Sequence, residues 1–146
     1  MTELNTDKNG LMLFGYDPTS YFEGKPAKGR KSISATYQGG TYYFLTEQNR
    51  KRFLEKPESF APAYGGFCAT AVSEGKYVPI HPKNYKITKG RLYLFYKGID
   101  GDAKKGWVDD EKKLTKLADD LWKKGTFTRP PAPKALLFVN RVLYPY

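Results

Sequence analysis

The chain has 146 residues, which suits one compact domain with its own hydrophobic core. Its 25 lysines and arginines against 15 acids leave a net charge of +10, while 40% hydrophobic and 16% aromatic content excludes compositional disorder. A single cysteine, Cys68, excludes an intramolecular disulfide and any zinc site built from several thiolates.

Residues 1–10 are polar and lack the apolar stretch of a signal peptide, so they read as a flexible N-terminus. The chain as written reads as cytoplasmic, and export of a form that has lost a leader stays open. No apolar run reaches the roughly 20 residues of a membrane-spanning helix. Leu11 to Phe14 begins the domain, and Gly15-Tyr16-Asp17-Pro18 reads as a turn because Asp-Pro favours turn initiation. Ile33, Ala35 and Tyr37 alternate with Ser32, Ser34 and Thr36, the period of a half-buried strand. Gln38-Gly39-Gly40 turns the chain, and Thr41 to Leu45 returns it, completing a β-hairpin.

Thr46 caps a predicted helix to about Lys56, with Phe53 and Leu54 inward and Pro57 as its stop. A loop over 59–64 leads to a second short helix over 66–73, ended by Gly75. Residues 77–82 form a proline-containing connector. Residues 85–96 read as a second hairpin turning at Lys89-Gly90, with Leu92, Leu94 and Tyr96 alternating with Tyr93 and Phe95. Residues 98–106 read as a glycine-rich loop. A third helix runs from about Asp109 to Lys124, with Leu114, Leu117, Ala118 and Leu121 as its apolar stripe. Residues 126–146 combine a stiff proline-rich linker with an apolar tail. That tail either folds back on the domain or, through residues 135–146, docks on a second copy. The expected fold class is α+β: one domain over residues 11–125, with two antiparallel hairpins covered by helices.

The ordered segments Gly15-Tyr16-Asp17-Pro18-Thr19-Ser20-Tyr21-Phe22, Tyr37-Gln38-Gly39-Gly40-Thr41-Tyr42-Tyr43-Phe44 and Tyr64-Gly65-Gly66-Phe67-Cys68-Ala69 resemble the YHS family. The resemblance spans roughly residues 11–124 and is closest to a branch with an aromatic residue before the Cys-Ala pair. Cysteine-rich YHS domains resemble small metal-binding modules, and their thiolate positions match Ser20, Leu45 and Asn49 here. None of the three is a thiol, so the usual metal site of that branch is absent. The resemblance implies a domain rather than a reaction.

Cys68 is the first candidate for chemistry. A helix opened by Gly65-Gly66 would place it in the first turn, where free N–H groups favour a thiolate. The competing reading is a small hydrophobe packed with Ala71 and Val72. Asp17 is either the cap of its turn or a ligand, and Tyr21 and Tyr16 could line a pocket with it. Asp17, Tyr21 and Cys68 would form one small polar site if their segments meet. Gly65 and Gly66 would allow close approach to the backbone. His81, the only histidine, reads as a surface imidazole on the connector, with a place in the site as the weaker alternative.

Three functions follow as alternatives. The first is a non-enzymatic module binding a metal ion or small ligand near Asp17 and Cys68. The second is a thiol enzyme or redox sensor using Cys68. The third is an interaction protein using the apolar tail or the basic surface. The cofactor is unknown, a metal ion being the one that the candidate residues suggest. Nucleic acid is an unfavoured partner because the basic residues are scattered; the densest group, Arg50-Lys51-Arg52, lies between Glu47 and Glu55.

Overall fold

A computed structural model describes residues 3–129. Residues 135–146, the proposed self-docking tail, lie outside the described residues. The domain is mixed α+β, built on three two-stranded antiparallel sheets. No helix among the described residues is long and apolar enough to cross a membrane.

Both large hairpins form where local turn chemistry demands them. Strands β1 (Arg30–Tyr37) and β2 (Gly40–Phe44) join at Gln38 (φ 50°) and Gly39 (φ 88°). Strands β3 (Tyr85–Thr88) and β4 (Arg91–Leu94) join at Lys89 (φ 53°) and Gly90 (φ 78°). Two consecutive left-handed residues give the turn twist that matches a right-handed hairpin. The second strand of each hairpin gains a short parallel bridge, Leu11 on Thr41 and Cys68 on Leu94. Each bridge covers backbone that would otherwise form an open sheet edge.

Helix α1 (Glu47–Glu55) is capped as expected, Thr46 Oγ1 accepting from the Asn49 N–H at 3.1 Å. Phe53 is its buried anchor, with ring centroids of Tyr42, Phe44 and Tyr37 at 4.9, 5.2 and 5.9 Å. Leu54 is exposed rather than inward. The inner face runs Asn49 to Phe53, four residues apart, and the next position turns away. Pro57 stops α1 and also starts the four-residue helix α2 (Pro57–Phe60), because its fixed φ suits a first helical position.

The predicted helix over 66–73 is shorter. Tyr64, Gly65 and Gly66 are all left-handed (φ 57°, 60° and 82°), so no α-helix can pass through them. Helix α3 covers only Ala69–Val72, with Cys68 at its N-cap rather than in its first turn. The predicted loop over 98–106 is instead a miniature hairpin, β5 (Lys97–Gly98) and β6 (Gly101–Asp102), followed by α4 (Ala103–Asp109). Asp102 caps α4 by accepting from the Lys104 N–H, and Trp107 is the anchor, fully buried against Tyr93 and Phe95 at 5.2 and 5.8 Å.

Helix α5 (Glu111–Lys124) ends at a left-handed Gly125 and turns the expected Leu114 and Ala118 inward, joined by Trp122 rather than Leu117. Ala118 is buried, and Leu114 and Trp122 pack on the core at four-residue spacing from it. Leu117 is exposed. Glu111 at its start takes Lys86 Nζ at 2.5 Å, Thr88 Oγ1 at 2.7 Å and Trp107 Nε1 at 3.0 Å, fastening α5 to the second hairpin. In β4 the expected alternation gives way to burial of Leu92, Tyr93, Leu94 and Phe95 alike. Both faces of this strand are covered, one of them by Trp107 and its helix.

Candidate functional site

The Asp17 carboxylate is fully buried and saturated. Oδ1 accepts from the Thr19 N–H at 2.8 Å and Thr19 Oγ1 at 2.7 Å. Oδ2 accepts from the Leu45 N–H and from Asn49 Nδ2, both at 2.9 Å. Ser20 Oγ donates to the Asp17 carbonyl at 2.6 Å and accepts from the Ala27 N–H at 3.0 Å. Asp17 therefore caps the 3₁₀ turn Pro18–Glu23 and ties it to the junction of β2 and α1. Ser20, Leu45 and Asn49, which the resemblance sets against thiolates, thus gather around Asp17, Ser20 at its carbonyl and the other two at its carboxylate. A buried charge is tolerable when hydrogen bonds replace its lost hydration.

Tyr21 uses its polar end in the same structural way. Its hydroxyl donates to the Pro82 carbonyl at 2.5 Å, and its ring meets Tyr85 edge-on at 5.1 Å. Burial raises the Tyr21 pKa well above its ordinary value, with Tyr16 and Tyr85 adding to the shift. Tyr16 is itself buried, which raises its pKa, and its backbone bridges to Lys28.

Cys68 lies elsewhere in the fold. Its N–H donates to the Val78 carbonyl and its carbonyl accepts from the Val72 N–H, both at 3.0 Å. The residue is 1% exposed. Burial pushes its thiol pKa up, against the backbone N–H groups of Tyr96, Ala71 and Thr70, which favour the thiolate. None of the Asp17 hydrogen bonds reaches Tyr21 or Cys68. His81, expected at the surface, is buried: Nδ1 accepts from the Lys83 N–H at 3.1 Å, and the His81 N–H donates to the Phe95 carbonyl at 3.1 Å. The connector is pulled in because it continues the pairing beyond β4.

A metal ion does not fit these residues. Each Asp17 oxygen already accepts two donors, and Cys68 is a buried, separate thiol. Among the described residues no three His, Cys, Asp or Glu side chains converge to hold an ion.

Gly65 and Gly66 do receive a close approach, made by the chain's own N-terminal segment. The Asn5 N–H donates to the Gly65 carbonyl at 2.8 Å, and Asn5 Nδ2 donates to the Gly66 carbonyl at 3.0 Å. A Cβ on Gly65 would lie 2.6 Å from the Glu3 carbonyl oxygen, so only glycine fits there. This contact forms one wall of a cavity of about 170 Å³. Leu4 and Met12 come from the N-terminal segment, and Tyr37, Gln38 and Tyr42 from the first hairpin. Ala61, Pro62 and Tyr64 lie before Gly65, and Trp122 closes the site from α5.

Four aromatic side chains therefore share one small pocket. Tyr64 is held by its hydroxyl, which donates to Asp119 Oδ1 at 2.7 Å, and by its edge-on contact with Trp122 at 6.0 Å. Arg91 grips both Asp119 oxygens at 3.1 and 3.2 Å and lies 5.5 Å over the Tyr64 ring. Burial raises the Tyr64 pKa, and the Asp119 bond and charge raise it further, while Arg91 opposes the shift. Tyr64 also holds a left-handed φ, a strained conformation for a bulky residue that costs about 1–3 kcal/mol. Of this pocket, the expected site included only Gly65. The aromatic first hairpin and Tyr64-Gly65 were the available signals, but nothing local joins them to Leu4 or Trp122. No family model, curated protein or solved structure matches the chain.

Proposed function

We propose that the protein is a non-enzymatic, YHS-like binding module whose ligand site is the aromatic pocket around Tyr42, Tyr64, Gly65 and Trp122. The YHS-like reading draws support from the gathering of Ser20, Leu45 and Asn49, positions up to 29 apart in sequence, around Asp17. The observation that carries the site is the pocket itself. It is walled by aromatic rings from three separate parts of the chain and backed by a strained Tyr64. Concave surfaces that combine aromatic walls with polar groups are a usual form of small-molecule site. Asp17, Tyr21 and Cys68 support a different role, because their polar atoms are spent on internal bonds or enclosed in the core.

The test is an NMR titration of isotope-labelled protein with a library of small aromatic compounds. Shifts should cluster at Tyr37, Tyr42, Gly65 and Trp122. Shifts centred on Asp17 and Cys68, or none at the pocket, would refute the assignment.

A further inference from the structure

One residue lining the pocket carries a polar group that the described residues leave unpaired. Tyr42 is 3% exposed and packs on Phe53, yet its hydroxyl has no hydrogen-bond partner among the described residues. Other tyrosine hydroxyls do: Tyr21 donates to Pro82, Tyr64 to Asp119 and Tyr96 to Asp100. A buried hydroxyl without a partner is an acceptor's natural point of attachment. Burial, with Tyr37 adding to it, raises the Tyr42 pKa far above its ordinary value. Tyr42 is therefore a neutral O–H donor among the residues that line the cavity.

Size and charge narrow the ligand further. A volume of about 150 Å³ is enough for a benzene ring, and this partly polar cavity measures about 170 Å³. It has room for a single ring with a small substituent. A cation would face a chain of net charge +10, and Arg91 already lies over Tyr64 while neutralising Asp119. A full anion would find no lysine or arginine among the lining residues to replace its hydration. We infer that the pocket binds a neutral, single-ring aromatic compound carrying one acceptor that takes the Tyr42 O–H. This inference rests on the pocket being the ligand site.

Four probes test it by NMR titration: acetophenone, toluene, benzoate and benzyltrimethylammonium, each against the wild type and Tyr42→Phe. Acetophenone should shift the Tyr37, Gly65 and Trp122 resonances and bind about five- to tenfold tighter than toluene. Tyr42→Phe should erase that difference while leaving toluene binding intact. The variant should fold, since the hydroxyl makes no bond to the described residues. An unchanged preference in Tyr42→Phe overturns the inference and leaves the pocket assignment standing. So does tighter binding of benzoate or benzyltrimethylammonium at the pocket. If none of the four probes moves the pocket resonances, the inference and the assignment both fail.

Discussion

Asp17 and Tyr42 are both buried polar residues beside the first hairpin, and they are treated in opposite ways. Asp17 has every acceptor site used, by donors from its own turn, from the end of β2 and from α1. Tyr42, on β2, has a hydroxyl without a partner among the described residues. The contrast separates a polar group that holds the fold from one that the fold only positions. Burial alone does not distinguish them, whereas the hydrogen-bond inventory does.

The sharpest way to break this comparison is Asp17→Ala. It strands the donors of Thr19, Leu45 and Asn49, and should cost about 3–4 kcal/mol in urea denaturation. A loss below about 1 kcal/mol would remove Asp17 from its structural role. Gly65→Ala should come next, at about 1–3 kcal/mol, because the residue is left-handed and its Cβ would strike the Glu3 carbonyl. Truncation of residues 1–5 should relieve most of the steric part, which thermal melts of the double variant would show.

Glu111 offers an intermediate case, a partly buried acid whose bonds are satisfied but fewer. Burial pushes its carboxyl up, and the bonds from Lys86, Thr88 and Trp107 outweigh that, leaving its pKa below the usual glutamate value. The unfolded chain therefore takes up this proton first as pH falls. The stabilisation is complete above the unfolded value of about 4.3 and is lost as pH drops through the folded one. Glu111→Gln should cost about 1 kcal/mol at neutral pH, with the difference from wild type shrinking below pH 4, as read from parallel melts. The smallest effect belongs to Tyr42→Phe. Its stability should stay within about 0.5 kcal/mol of wild type or rise slightly, since no internal bond is lost. A marked loss would mean that the hydroxyl has a structural partner after all.

The parts of the fold that were legible in the sequence are those decided locally. Gln38-Gly39 and Lys89-Gly90 specify their turns within a few residues, and Thr46 specifies its cap. Helix α4 was hidden because Lys104-Lys105-Gly106 has no apolar period, and its formation depends on Trp107 finding Tyr93 and Phe95. On α5 the expected Leu114 and Ala118 face inward, but Trp122 takes the place expected of Leu117, and only the packing partners decide between them. At the candidate site, the capping role of Asp17 followed from the Asp-Pro turn. The pocket did not, because Leu4, Tyr42, Tyr64 and Trp122 are brought together by the completed fold.

Cys68 has a practical consequence that reaches past ligand chemistry. It is the chain's single thiol, and it sits beneath the bridge to Leu94 at the centre of the second hairpin's packing. At 1% exposure a thiol reagent can meet it only when the packing around it opens, so labelling records openings of the molecule. When reclosing is faster than reaction, the ratio of the observed rate to that of an unstructured peptide gives the population of the open form. The residue that looked most like a reactive centre is thus a built-in clock for unfolding.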